Sequence, residues 1–163
     1  MLIDLKAFTA KAKRRYKENE KFFALLKRSR RRDLDDKVDR FHEEAFKKID
    51  CLDCANCCKS ISPTFEPTDI KRLSKFLDLK TNVFIETYLE MDEDGDFVHH
   101  GAPCPFLLPD NKCRVYEARP EACRGYPHTN EKKIRSIADI TLQNTMYCPA
   151  VFDITEQLKK EFR

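Results

Sequence analysis

Cys51-Leu52-Asp53-Cys54-Ala55-Asn56-Cys57-Cys58 places four of the chain's eight cysteines in eight residues. The other four, Cys104, Cys113, Cys123 and Cys148, come at long intervals, so a fold that gathers them must bring the second half of the chain back to this stretch. Cys51, Cys54 and Cys57 repeat every three residues. That spacing lets one turn of backbone aim several sulfurs at a common centre, with amide N–H groups left to hydrogen-bond them. Cys58 breaks the repeat. Adjacent side chains diverge in helical and extended backbone alike, so Cys57 and Cys58 are expected to face different directions, toward two centres.

Before the cysteines, residues 4 to about 29 contain neither Gly nor Pro and place Leu5, Phe8, Ala12, Phe22, Phe23, Leu25 and Leu26 at helical spacing. Asp33 is the expected cap of a second helix, whose apolar face is Leu34, Val38, Phe41, Ala45 and Ile49. The two predict an N-terminal helical hairpin over residues 1–50 that delivers the chain into Cys51. The rest, 51–163, is then the cysteine-cluster metal-binding domain. After the cluster, Thr68 is the expected cap of a helix carrying Ile70, Leu73, Phe76 and Leu77, and Thr81 that of a shorter one through Tyr88.

Asp92-Glu93-Asp94-Gly95-Asp96 signals a turn before a short strand at Phe97-Val98-His99. It is not a calcium loop, because Pro103 stands where an EF-hand needs its bidentate Glu. Pro109-Asp110-Asn111 predicts a hairpin turn that brings Cys104 and Cys113 together. A helical turn begins at Pro120, a further helix is expected over about Lys133 to Thr145, and Pro149 suits the first turn of a C-terminal helix. The fold class is mainly α with a small β-hairpin, organised by cysteine and metal.

The chain has 163 residues and a formal charge of +3, with 36% charged residues, so the core is modest. Residues 1 to 50 carry 16 Lys and Arg against 10 Asp and Glu, whereas the remainder carries 15 against 18. The run Lys27-Arg28-Ser29-Arg30-Arg31-Arg32 could meet phosphate, although a solvated helix end accounts for it more simply. No signal-like start or membrane-length apolar stretch occurs, which predicts a soluble, cytoplasmic protein with no membrane partner. Reduced thiols in that compartment point to metal before disulfides.

The set Cys51-x-x-Cys54-x-x-Cys57-Cys58, Cys104-Pro105-Phe106-Leu107, Cys113-Arg114-Val115-Tyr116, Arg119-Pro120-x-x-Cys123-Arg124-x-Tyr126-Pro127 and Cys148-Pro149 resembles the YkgJ-type cysteine-cluster family over roughly residues 50 to 151. All eight cysteines fall on its pattern. The resemblance implies a zinc- or iron-chelating domain or an iron–sulfur protein. A similar cluster occurs in flagellin lysine N-methylases, which implies a part in protein lysine methylation as one alternative. Only three glycines are present and no glycine-rich loop, which speaks against a nucleotide-like methyl donor.

Two cofactors fit the residues. Three thiolates at triple spacing with a remote Cys-Pro, Cys104 or Cys148, have the form of an iron–sulfur ligand set, which the spacing favours. Eight thiols also suffice for two tetrahedral zinc sites. His99, His100 and His128 lie near cysteines and could be ligands, although a solvent-facing histidine is the simpler reading of each, and His42 is read as surface or half-buried. Arg119 and Arg124 flank Cys123, where they could lower the charge of a thiolate cluster, bind an anion, or hydrogen-bond loop carbonyls. The function classes are a metal-binding protein with a redox role and a redox or protein partner, or a zinc-stabilised module for nucleic acid or protein. No residue pattern assigns an enzyme reaction or a catalytic group.

Overall fold

A computed structural model describes residues 3–162; Met1 and Leu2 of the N-terminal stretch, and Arg163, lie outside the described residues. In chain order the helices are α1 (Leu5–Arg28), α2 (Leu34–Phe46), α3 (Cys51–Cys54), α4 (Asn56–Ser60), α5 (Pro67–Phe76) and α6 (Thr81–Tyr88). Strands β1 (Leu89–Met91) and β2 (Phe97–His99) follow, then α7 (Glu121–Gly125), α8 (Ala138–Asn144) and α9 (Pro149–Glu161). The protein is therefore mainly helical with one small antiparallel hairpin. By packing it forms two units, one of the residues up to Cys54 with those from Pro127 onward, the other Ala55–Tyr126.

In the first unit, Asp4 caps α1 by accepting from the Lys6 and Ala7 amides, both at 3.0 Å. Helix α1 buries Phe8, Ala12, Phe22, Phe23 and Leu26. Helix α2 buries Leu34, Val38, Phe41 and Ala45 as its spacing predicts, but it ends at Phe46, so the expected Ile49 lies outside it and is half-buried. Both N-terminal helices find their main partners at the other end of the chain: α2 lies on α9, and α1 on α8 and α9. Phe8 meets Phe152 edge to face at 5.9 Å, and Phe22 meets Phe162 at 5.3 Å. Such contacts add about 0.5–1.5 kcal/mol each beyond area burial. Asp33 stands at the start of α2 but turns its carboxylate to Arg31, at 2.9 and 3.1 Å.

In the second unit, Phe65, Ile70, Leu73, Phe84, Leu89, Phe106, Val115 and Ala118 form the core, with Cys104 and Cys113 packed against it. Phe84 and Phe106 stack at 6.2 Å. Strands β1 and β2 pair Leu89 with His99 and Met91 with Phe97. Asp92 closes their turn by accepting from the Asp94 and Asp96 amides at 3.0 and 2.9 Å, with Gly95 at φ +85°. Strand β1 follows α6 without a break and carries no turn signal of its own in the sequence. The second turn is as expected: Leu108 and Arg114 donate to the Lys112 and Phe106 carbonyls, both at 2.8 Å, and Asn111 takes φ +67°.

Three expected boundaries move. Glu66, not Thr68, is the residue before α5, because Pro67 fits the first helical position and Asp69 accepts from the Glu66 amide at 3.1 Å. Lys80, not Thr81, precedes α6. The helix expected from Lys133 shortens to α8, since the residues before it form turns.

Asp69 is the main polar anchor of the second unit. It is 1% exposed, and besides the Glu66 amide it accepts from Arg72 and from the Glu121 amide at 3.2 Å. Arg72 donates onward to the Ala118 and Arg119 carbonyls at 3.3 and 2.9 Å. Helix α5 is thereby fastened to the segment that carries Cys123. Asp69→Ala should cost about 3 kcal/mol, the usual range for breaking a buried ion pair. Denaturant unfolding would measure it, and a loss below about 1 kcal/mol would contradict the anchoring role.

Candidate metal centre

The opening cysteine stretch is two helical turns joined by Ala55, which adopts φ +47°, ψ +21°. A left-handed conformation costs a non-glycine residue roughly 1–2 kcal/mol. Cys51 and Cys54 belong to the turn before it, Cys57 and Cys58 to the turn after. Asp50 starts the first turn by accepting from the Leu52 amide at 2.8 Å.

In the first unit, Cys148 precedes Pro149 at the start of α9 and is buried. Burial pushes its thiol up to about 12, and proximity to Cys51 and Cys54 adds to the rise. The Ala150 and Val151 amides act in the opposite sense, favouring the thiolate. The structure thus associates Cys51, Cys54 and Cys148, one of the two remote partners expected. A cavity of about 420 Å³ adjoins Cys51, lined by Phe46, Lys47, Lys48, Asp50 and Asp53 among others.

In the second unit, Cys57 and Cys58 do not diverge: their sulfurs lie 3.9 Å apart. Side-chain torsion overrides the angular separation of adjacent helical positions. Donation from Cys57 lowers the Cys58 thiol to about 7, against the opposing effect of burial. The Cys104 amide donates to the Cys58 carbonyl at 2.8 Å, tying the distant hairpin to α4. Burial raises Cys104 to about 11, and Cys58 and Cys113 raise it further. Burial raises Cys123 to about 12, with further contributions from Cys58, Cys104 and Cys113. Cys113 is also raised, by burial first and then by Cys58. Cys58, Cys104, Cys113 and Cys123 therefore respond to one another's charge. Amides of Phe106 and Leu107 favour the Cys104 thiolate, and that of Val115 favours Cys113.

Arg119 and Arg124 bond to loop carbonyls. Arg119 donates to the Tyr116 carbonyl at 2.9 Å and lies 3.7 Å over its ring, while Arg124 donates to the Glu117 and Arg119 carbonyls at 2.7 and 3.1 Å. The Arg119 charge nevertheless lowers Cys113 and Cys123, offsetting part of their rise.

Of the histidines, His99 departs from its solvent-facing reading. It is 1% exposed, and neither ring nitrogen makes a well-formed hydrogen bond. Its place on β2, opposite Leu89, turns it inward, and burial holds its pKa below the ordinary value. His100 is exposed beside Glu90 at 3.3 Å, His128 contacts Glu131, and the half-buried His42 meets Thr129 at 2.7 Å.

All eight cysteines are thiols. Among the described residues, no three His, Cys, Asp or Glu side chains are already gathered so as to hold one ion. The donor chemistry fits zinc or iron, and the amides directed at sulfur fit thiolates; closing on a metal requires thiol rotation and loss of protons.

A thiol-rich donor set with amide support marks a metal-binding protein. The chain belongs to the CxxCxxCC family, described as "Putative zinc- or iron-chelating domain", whose model matches residues 50–149. Over 82 residues it is also 27% identical to the uncharacterized protein MJ0661 of Methanocaldococcus jannaschii, a match covering 48% of this chain and 44% of the relative. The chain thus spans less than half the length of that curated relative. No solved structure matches it.

Two outcomes follow. Folding raises Cys104, Cys123 and Cys148 from 9.0 to about 11, 12 and 12, so the folded state holds these protons more tightly than the unfolded chain. The associated stability is intact below the unfolded thiol value and is lost as pH rises from there through the folded values. The melting temperature of metal-free protein should fall steadily above about pH 9. A flat profile would show that these thiols are not buried. At Ala55, glycine removes the left-handed penalty, so Ala55→Gly should leave stability unchanged or raise it by up to about 1 kcal/mol, while Ala55→Val should lower it. The opposite order in denaturant unfolding would contradict the strained junction.

Proposed function

We propose that the chain binds zinc or iron through cysteine thiolates, with Cys58, Cys104, Cys113 and Cys123 as the four ligands of one centre. The supporting observation is their placement: the Cys104 amide bonds to the Cys58 carbonyl at 2.8 Å, Cys104 and Cys113 pack against one core, and Cys123 lies within electrostatic reach of all three. Four is the number that a tetrahedral zinc or iron ion takes. Cys58 ionises most readily and is the natural first ligand; Cys57 hydrogen-bonds it, and Arg119 offsets part of the anionic charge. Cys51, Cys54 and Cys148 supply a second set of donors in the first unit.

An iron–sulfur cluster with a redox role is the second reading, favoured by the triple cysteine spacing. The left-handed Ala55 weakens it, because the three cysteines do not share one continuous helical turn. A methylation role has no support beyond the family resemblance.

Metal and acid-labile sulfide analysis of protein purified without oxygen separates these readings. The expected result is about one or two zinc or iron ions per chain without sulfide. Brown protein with matching sulfide would establish the cluster instead. Protein lacking bound metal, and unable to take up zinc or iron under reducing conditions, would overturn both. Cys113→Ser should lower metal content by about one ion and reduce the melting temperature, since site formation and folding are coupled.

A further inference from the structure

Helix α1 carries nine Lys and Arg against two Glu, and the turn after it adds Arg30, Arg31 and Arg32. Three flanking cations are matched within the first unit. Arg15 pairs with Glu18 at 2.7 Å and Glu156 at 2.8 Å, Lys27 with Asp139 at 2.7 Å, and Arg31 with Asp33 at 2.9 Å. Lys6, Lys13, Lys17, Lys21 and Arg28 are exposed and have no acidic partner among the described residues; the same holds for Arg14, Arg30 and Arg32. At about 100° per residue, Lys6, Lys13, Lys17, Lys21 and Arg28 fall within an arc of roughly 80°. Glu20 alone approaches the edge of this stripe.

We propose that this stripe is a docking surface for double-stranded nucleic acid, held through its phosphates without reading the bases. From Lys6 to Arg28 the axial span is about 33 Å at 1.5 Å per residue, close to one turn of a duplex, about 34–36 Å. An uncompensated row of cations matches a row of phosphates. Other anionic partners fit less well. A membrane-surface helix needs an exposed apolar face, whereas α1 buries Phe8, Phe22, Phe23 and Leu26. Single strands are gripped by exposed aromatic platforms, and the stripe has none. A folded acidic protein would need a desolvated apolar anchor at the centre of the contact, where this surface presents lysine.

The test is fluorescence anisotropy of full-length protein with a labelled DNA duplex of about two helical turns, at several salt concentrations. Engaging about five phosphates gives a log–log salt slope near −4.5. The triple variant Lys13→Gln/Lys17→Gln/Lys21→Gln should bind roughly 100-fold more weakly at ~0.1 M salt, with a slope shallower by about 2–3. Circular dichroism confirms that it remains folded. Lys71→Gln/Lys75→Gln, exposed in the second unit, should bind like the parent. The proposal is overturned if the triple variant binds as the parent does, if affinity is insensitive to salt, or if anionic vesicles or polyglutamate bind in place of the duplex. These results do not depend on metal content, so they stand or fall apart from the thiolate centre.

Discussion

Four half-buried thiols within mutual electrostatic reach cannot all ionise unless a cation joins them. The second unit imposes this constraint on Cys58, Cys104, Cys113 and Cys123: each ionised sulfur raises the cost of the next, and burial from water increases that cost. Directed amides and the Arg119 charge offset part of it without removing it, since Cys104 and Cys123 still stand far above an ordinary thiol. Without metal, Cys104 and Cys123 therefore keep their protons at neutral pH, while Cys58 stands close to its own ionisation. At the proposed centre a divalent ion would change the balance, because it would replace protons and attract all four sulfurs at once, coupling uptake to pH and to the rigidity of the segments bearing the cysteines.

Those segments are short, and little of their order comes from helix propensity. Helices α3, α4 and α7 have four or five residues each, well below the length at which an isolated helix is stable in water. Their order is supplied by neighbours. Asp69 and Arg72 hold the segment leading to Cys123, the tight turn at Asn111 holds Cys113 near Cys104, and the Cys58 carbonyl receives the Cys104 amide. Phe84 and Phe106 fill the volume beneath. A cysteine-rich loop thus gains a fixed shape from a small apolar core and one buried carboxylate.

The long elements were legible in the sequence because their signals are periodic and repeated. The stripe of α2, the Gly- and Pro-free run of α1, the Pro149 start of α9 and the turn at Pro109-Asp110-Asn111 all carry several concordant residues. The missed features depend on single residues or on distant contacts. Nothing in alanine's preferences announces the left-handed Ala55, and the partners of Asp69 lie three and about fifty residues away. Residue type alone favours solvent for His99, whereas pairing with β1 places it inside. The cysteine groupings required the tertiary fold. Spacing relates Cys57 to Cys51 and Cys54, but it does not announce that the Cys57 sulfur lies beside that of Cys58.

Charge is the property least explained by folding. Lys13, Lys17 and Lys21 stand at successive i, i+4 positions, where like charges destabilise a helix by about 0.2–0.5 kcal/mol per pair. Nearby acids could have relieved this, yet Glu18 is committed to Arg15 and Lys159, and Asp139 to Lys27. The apolar face of α1 tolerates the repulsion because Phe8, Phe22, Phe23 and Leu26 are buried, and complete burial of such side chains contributes about 1.5–3 kcal/mol each. The helix can therefore keep an unneutralised stripe without losing its place in the fold. Core packing requires nothing of that outward face, so its composition is free to answer to something outside the chain.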